Sequence, residues 1–306
     1  MLGKHSQAIG PSGGAILSLH NEQVFILCNP YELNGVVESH PSDVEGFASM
    51  NCYLLAEPDR ALLVDSGLTV HRQAILAQLD SLLAERELRL LPLRIGDFAG
   101  LCNMQPIAER LAVAGLYGTM LGEPHEWLEF QPNLEVSAGE ERGLAAVPGL
   151  PLPFGGSLPL SSDGQRRLEI LVAPIRLLPM PWAFDSATGT LFTFDVFGWV
   201  TRPDSGGPWI LTEDDEDSTT LDDVWHYLVA NRYWWLAGAR TERLLEDLRE
   251  VLDSRDVVTI APGYGCVLHG AEVVRRHVAL LEEALTKAAT APSVGIEVGR
   301  ATRRAA

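Results

Sequence analysis

The sequence predicts an α/β fold in which helices pack outside two sheets. Short apolar runs with turn signals at their ends alternate with stretches whose apolar residues recur every three or four positions. The first pattern is typical of strands and the second of amphipathic helices. Because the two patterns alternate in two successive passes along the chain, we expect a layered α/β sandwich.

The elements follow in order from these patterns. Three apolar runs near the start are bounded by Asn-Pro, Glu-Pro-Asp and Asp-Ser-Gly, and they predict strands at 24–28, 52–55 and 61–64. Two later strands are predicted at 167–172 and 190–194. Amphipathic helices are predicted at 70–88, 105–114, 221–237, 241–252 and 270–288.

The middle of the chain, residues 15–288, is predicted to be a single domain. Residues 1–14 combine glycine and proline with polar residues, so we expect a flexible leader there. Residues 289–306 are rich in alanine and are expected to form a loosely ordered tail.

The composition excludes several classes of function. The formal net charge of -18 argues against nucleic-acid binding, which requires clustered lysine and arginine. No run approaches the roughly 20 apolar residues of a membrane span, and the start of the chain lacks a signal-peptide pattern. The four cysteines are dispersed, without a Cys-x-x-Cys pair. We therefore expect a cytoplasmic protein with reduced, buried thiols.

Several motifs resemble the metallo-β-lactamase superfamily. Asp195–Gly198 (Asp-Val-Phe-Gly) is similar to an Asp-Ala-Phe-Gly box, Trp225–Tyr233 to a Tyr-x-x-Asn-Ile helix, and Ala261–Gly265 to an Ala-Pro-Ser-His-Gly turn. Over residues 24–285 their order resembles that of the diiron domain of flavodiiron proteins and their oxygen-binding relatives. The resemblance implies an αββα sandwich of the metallo-β-lactamase type and a homodimer. It also implies that Asp65, after a predicted strand, organises loops.

The same resemblance implies that most metal ligands are missing. The family holds two irons with a His-x-Glu-x-Asp-His loop, a histidine after a strand end, the aspartate of the box as a bridge, and the histidine of the last turn. Mapped onto this chain, the ligand positions that have become apolar are Leu93, Ile95, Phe98 and Leu177. The positions that keep an oxygen donor are Asp97, Asp195 and Tyr264.

These replacements decide which chemistry is expected. Iron and zinc need several nitrogen or oxygen donors at about 2 Å, which Leu, Ile and Phe do not offer. The apolar side chains would instead line an apolar pocket or fill a core. Asp97 and Asp195 would then need a counter-charge, for which Arg94 and Arg176 are candidates because each lies near a lost ligand position. A rival arrangement keeps a single ferric ion on Asp97, Asp195 and Tyr264.

The leading interpretation is a protein without a diiron centre or other cofactor that binds a small molecule or a protein partner through the former active-site cleft. The alternative is an oxidoreductase for oxygen or nitric oxide, or a metallohydrolase, with an atypical metal site and iron as its cofactor. A third interpretation is a structural subunit of a metal-bearing homologue. We expect no FMN-binding domain in this chain. The eight histidines show no ligand spacing, and His226, on the aromatic helix, is the one that merits attention.

Overall fold

The computed structural model describes residues 8–9, 14–37, 39–94, 97–118, 143–176 and 180–293. The chain divides into two compact units. The first comprises residues 1–31, 49–173 and 178–192, and the second comprises residues 32–48, 174–177 and 193–306. The strands of the described residues form two sheets, of eight and seven strands.

The first unit is built on the eight-stranded sheet, whose order follows the chain. Its strands are β1 (Ala8–Ile9), β2 (Ala15–Leu19), β3 (Val24–Glu32), β4 (Phe47–Ala56), β5 (Arg60–Val64), β6 (Glu87–Leu91), β7 (Val113–Tyr117) and β8 (Gly149–Leu150). The pairs β1–β2, β2–β3 and β4–β5 are antiparallel, whereas β5 to β8 are parallel. Val64 lies opposite Leu91 at the carboxyl ends of β5 and β6.

Within the described residues, three α-helices accompany this sheet: α1 (Arg72–Leu83), α2 (Phe98–Leu101) and α3 (Met104–Arg110). Ile75 and Leu79 of α1 are fully buried in the core that also contains Leu54 and Leu63 of the sheet. Burial of each such side chain contributes about 1.5–3 kcal/mol. The helix predicted over 70–88 is shorter than expected, because Ala84 has a positive φ of 48° and β6 begins three residues later.

A second ladder of the first unit consists of β9 (Ser157–Pro159), β10 (Arg167–Val172), β11 (Pro181–Asp185) and β12 (Thr190–Phe194), all antiparallel. The predicted strands at 167–172 and 190–194 are confirmed. The last two residues of β12 belong to the second unit.

In the described part of the second unit there are three α-helices, α4 (Leu221–Tyr227), α5 (Glu242–Asp253) and α6 (Ala271–Thr290). Its strands are β13 (Ile210–Leu211), β14 (Thr259–Pro262) and β15 (Val267–His269), and β15 pairs with both others. A capping box of Thr220 and Asp223 begins α4 by satisfying free backbone donors.

The helix predicted over 221–237 is interrupted. After α4 the chain forms a π-helical turn, Leu228–Arg232, and then a 3₁₀ turn, Trp234–Leu236. In a regular α-helix, position 231 or 232 would follow Leu228 on the buried face. The π turn has more residues per turn, so the next position on the buried face comes about one residue later, at Tyr233.

Ala8 and Ile9 pair with β2, although the leader was expected to be flexible. The other residues of the leader before Gly14, and those of the tail after Ser293, lie outside the described residues. Within the part of the chain that the structure describes, no helix is both long enough and apolar enough to cross a bilayer.

Candidate functional site at Asp195 and Arg232

Asp195 lies in a tight turn directly after β12. Two bulky residues of this turn have a left-handed backbone, Phe194 with φ 53° and Phe197 with φ 71°, and both side chains are buried. Such conformations cost about 1–3 kcal/mol each and cluster at functional sites. Thr193 supports the turn, because its Oγ1 donates to the backbone oxygen of Val196 at 2.9 Å. The turn holds the Asp195 carboxylate in a buried position.

Arg232 supplies the positive charge that faces this carboxylate. Its Nε lies 3.6 Å from Oδ2 of Asp195, and the two side chains are 11% and 2% exposed. The guanidinium carbon also lies 5.6 Å from the ring centroid of the buried Tyr264, which is the range of a cation–π contact. Asp195 and Tyr264, two predicted former ligand positions, therefore meet around one guanidinium. Because arginine stays protonated in proteins, this charge is permanent.

No motif in the sequence singles out Arg232. It is the last residue of the π-helical turn, and such turns are frequent at functional sites. The available signal was weak: Arg232 is the one arginine in the aromatic stretch 225–235. Nothing in the spacing indicated which carboxylate it would face.

Two tyrosines of the same segment complete the surroundings of Asp195. The hydroxyl of Tyr227 donates to the backbone oxygen of Asp195 at 3.0 Å. Tyr233 is fully buried, and its hydroxyl has no hydrogen-bond partner among the described residues. Burial, and next the negative charge of Asp195, raise the pKa of Tyr233 well above its ordinary value. The phenol therefore stays neutral at physiological pH.

Glycine is required where two of the motifs approach each other. A Cβ at Gly198 would lie 2.5 Å from the hydroxyl of Tyr227 and 3.1 Å from the backbone oxygen of Tyr264. Gly265 has a φ of 75°, and a Cβ there would lie 2.5 Å from the backbone oxygen of Gly198. Larger residues would separate the two turns that carry Asp195 and Tyr264.

In the first unit, Arg94 forms its close ion pair with Asp65. The Nε of Arg94 lies 2.6 Å from Oδ2 of Asp65, and the backbone nitrogen of Arg94 donates to Oδ1 at 3.1 Å. Asp65 and Arg94 follow the carboxyl ends of the parallel strands β5 and β6, which explains why they meet. Burial raises the pKa of Asp65, and the charge of Arg94 opposes this shift. The sequence predicted Arg94 as a counter-charge for Asp97 or Asp195. In the structure its close ion pair is with Asp65, the residue that was expected to organise loops.

The other retained carboxylate of the loop, Asp97, has a local structural role. It caps α2, where its Oδ1 accepts a hydrogen bond from the backbone nitrogen of Ala99 at 2.9 Å. Asp97 belongs to the first unit, whereas Asp195 and Tyr264 belong to the second.

The apolar replacements do not behave alike. Leu93 is buried, as a core residue would be, but the side chain of Phe98 is 77% exposed, so a filled core is wrong for this position. The reason is that Phe98 is the first residue of the four-residue helix α2, on its solvent side. Arg176, the second candidate counter-charge, is an exposed residue. Ile95 and Leu177 lie outside the described residues.

The described residues do not fit a diiron centre. Among them, no three histidine, cysteine, aspartate or glutamate residues form a group that could hold a metal ion. Leu93 and Phe98 offer no donor atom, and the Asp195 carboxylate faces the guanidinium of Arg232. A fixed positive charge beside this carboxylate opposes the approach of a second cation.

No family model matches this sequence, and no curated protein matches it. Several solved structures, however, have a similar fold. The rubredoxin oxygen:oxidoreductase of Desulfovibrio gigas superposes with a TM-score of 0.65 at 13% identity, over 88% of this chain and 61% of that one. The flavodiiron protein of Giardia intestinalis gives a TM-score of 0.61 at 14% identity, over 86% and 57%. A diflavin flavoprotein fragment (1–254) from Nostoc gives 0.63 at 16% identity, over 90% and 97%.

These likenesses confirm the predicted fold class. The chain has the α/β fold of the metallo-β-lactamase type that flavodiiron proteins contain. It spans about three fifths of the length of the Desulfovibrio and Giardia proteins, and its similarity to them is one of fold.

Proposed function

We propose that this chain is a flavodiiron-like protein that has lost its diiron centre and binds a small molecule or a protein partner without catalysing a reaction. The observation that carries the proposal is the ion pair between Arg232 and Asp195. Asp195 stands where the resemblance places the carboxylate that bridges two irons. In this chain a guanidinium faces it.

Electrostatics explains why this ion pair opposes metal binding. A buried carboxylate must be protonated, be paired with a cation or bind a metal, since its isolated charge is costly away from water. Arg232 already supplies a cation. A divalent metal would have to displace it or bind beside it against charge repulsion. At the positions that the resemblance assigns to further ligands, Leu93 and Phe98 offer no donor atoms.

The proposal extends to the partner and the setting of the protein. We propose a homodimer, or an assembly with a metal-bearing homologue, in the cytoplasm. Under the leading proposal the chain needs no cofactor of its own.

The alternative function is an oxidoreductase for oxygen or nitric oxide, or a metallohydrolase, with an atypical site. The feature in its favour is the retention of hard oxygen donors at Asp97, Asp195 and Tyr264, a set suited to a ferric ion. Iron would then be the cofactor.

Metal analysis of the purified full chain tests the proposal. After expression in iron- and zinc-supplemented medium, we expect substoichiometric iron and zinc, and a melting temperature that a chelator does not change. Stoichiometric metal that is lost in Asp195→Asn would overturn the proposal. A visible tyrosinate-to-iron absorption band that disappears in Tyr264→Phe would overturn it as well. Metal that persists unchanged in both variants, with an unchanged melting temperature, is bound elsewhere and leaves the loss of the diiron centre supported.

A further inference from the structure

The second unit contains a pocket of about 220 Å³ whose lining includes neither Asp195 nor Arg232. Its walls come mainly from three segments: 40–44, 199–202 and 216–227. This volume suits a small molecule, below the usual range of drug-sized sites.

One side of the pocket is an aromatic wall that is held in place. Trp199 and Tyr227 are buried and pack edge to face, with ring centroids 5.9 Å apart. The Nε1 of Trp199 donates to Nδ1 of the buried His277 at 2.9 Å, and the hydroxyl of Tyr227 donates to the backbone oxygen of Asp195. Because these hydrogen bonds already fix the two side chains, ligand binding costs little additional side-chain entropy.

His40, also in the lining, adds no positive charge. Its Nε2 donates to the backbone oxygen of Gly198 at 3.0 Å, and its Nδ1 lies 3.0 Å from Oγ of Ser39. Burial lowers the pKa of His40 to about 4, so its ring is neutral at physiological pH.

The remaining charges of the lining are predominantly negative. Besides His226, whose Nε2 lies 2.8 Å from Oδ1 of Asp43, the lining contains one arginine, Arg202, and three carboxylates, those of Glu216, Asp217 and Asp223. Asp217 is paired with Arg276 and His277, each at 3.2 Å, and Asp223 is used in the capping box of α4. Glu216 is exposed, and no hydrogen bond or ion pair engages its carboxylate within the part of the chain that the structure describes.

We propose that this pocket binds a small organic cation, such as an alkylamine, with its charged group at Glu216 and its carbon chain against Trp199 and Tyr227. The carboxylates of the lining outnumber its one arginine, which favours a cation over an anion, and the aromatic wall favours an organic cation over a bare metal ion. The hydrogen bond from an ammonium group to Glu216 would be charge-assisted.

Calorimetric titration of the full chain with 1,4-diaminobutane at low ionic strength tests the proposal, with 1,4-butanediol as the neutral analogue. We expect saturable binding of the diamine and none of the diol. Glu216→Gln should weaken the diamine about tenfold or more, as loss of a hydrogen bond to a charged group predicts. Val44→Phe, which places a ring in the pocket, should abolish binding while thermal melting shows that the protein stays folded.

The matched control is Glu250→Gln, which removes the same charge from an exposed position on α5 outside the lining. It should bind the diamine as the wild type does. Absence of saturable binding, equal binding of the diol, or equal weakening by Glu216→Gln and Glu250→Gln would overturn the proposal. These outcomes do not depend on the metal content of the protein.

Discussion

The two units each contain a buried arginine–aspartate pair, and the two pairs differ in geometry. In the first unit, Arg94 and Asp65 are 0% and 1% exposed, with Nε and Oδ2 at 2.6 Å and a second hydrogen bond from the backbone of Arg94. In the second unit, Arg232 and Asp195 are separated by 3.6 Å, and Arg232 remains 11% exposed. The first pair is close and fully enclosed, whereas the second is longer and reaches solvent.

This difference separates a structural ion pair from a candidate functional one. Asp65 and Arg94 join the ends of two neighbouring parallel strands, so the pair links elements of the fold. Asp195 stands in a turn with two left-handed phenylalanines, beside a buried phenol and a π-helical turn. Asp65 itself has a left-handed backbone, with a φ of 60°, so the features that distinguish the second pair are the π-helical turn, the buried phenol and the partial exposure of Arg232. The second pair is therefore the candidate for a functional site.

The largest predicted effect is that of Arg94→Met. Removing one partner of a fully buried pair leaves the other charge uncompensated, so we expect the free energy of unfolding to fall by about 3–5 kcal/mol. Urea unfolding at pH 7 measures it. The double variant Arg94→Met, Asp65→Asn should recover part of the loss, because no isolated charge then remains buried.

The pH dependence of Arg94→Met follows from Asp65. Burial raises the pKa of Asp65 in the folded state, and without the guanidinium of Arg94 only the hydrogen bond from the backbone nitrogen of residue 94 opposes the shift. The folded variant then binds more protons than the unfolded chain, so its stability increases as pH falls from the folded pKa of Asp65 towards the unfolded value near 4. The difference in the free energy of unfolding between Arg94→Met and the wild type should therefore be smaller at acidic pH than at pH 7. A difference that widens instead would contradict this assignment.

Arg232→Met should have a smaller effect. The pair is longer and Arg232 is partly solvated, so we expect a loss of about 1–3 kcal/mol at pH 7 in the same urea assay. Arg232→Lys keeps the charge and should lose less than Arg232→Met. If Arg232→Met proved more destabilising than Arg94→Met, the distinction between the two pairs would be wrong.

The smallest effect is expected for Tyr227→Phe, which removes one hydrogen bond to the backbone of the Asp195 turn. We expect a loss of about 1 kcal/mol in chemical unfolding. Tyr233→Phe is the matched control from the same segment. Its buried hydroxyl has no partner among the described residues, so its removal should be neutral or stabilising. A larger loss for Tyr233→Phe than for Tyr227→Phe would contradict this account of the site.

Most of the fold could be predicted from the sequence, because it depends on local patterns. The helices at 241–252 and 270–288 correspond to α5 and α6 within two residues at each end, since the periodicity of apolar residues determines which face a helix buries. The boundary at Ala84 and the interruption after Tyr227 were missed. Both depend on how buried side chains pack, and the apolar pattern continues through them.

The candidate site was predicted only in part. The motifs located Asp195 and Tyr264 and indicated that a counter-charge was needed, but they assigned it to Arg94 and Arg176, the arginines nearest the lost ligand positions in sequence. Distance along the chain was misleading here. Arg232 lies far from Asp195 along the chain, at the end of the π-helical turn, and the folded chain places its guanidinium beside the carboxylate.

The sequence by itself determined the fold class, the order of the motifs and the absence of metal-donor side chains at positions 93 and 98, because these depend on periodicity and residue type. Only the tertiary structure decided which arginine faces which aspartate, that Phe98 is exposed, and that a pocket with an acidic lining forms beside Trp199. Ion pairs and pockets join side chains from distant parts of the chain. Their geometry is therefore set by packing, which no local pattern of residues specifies.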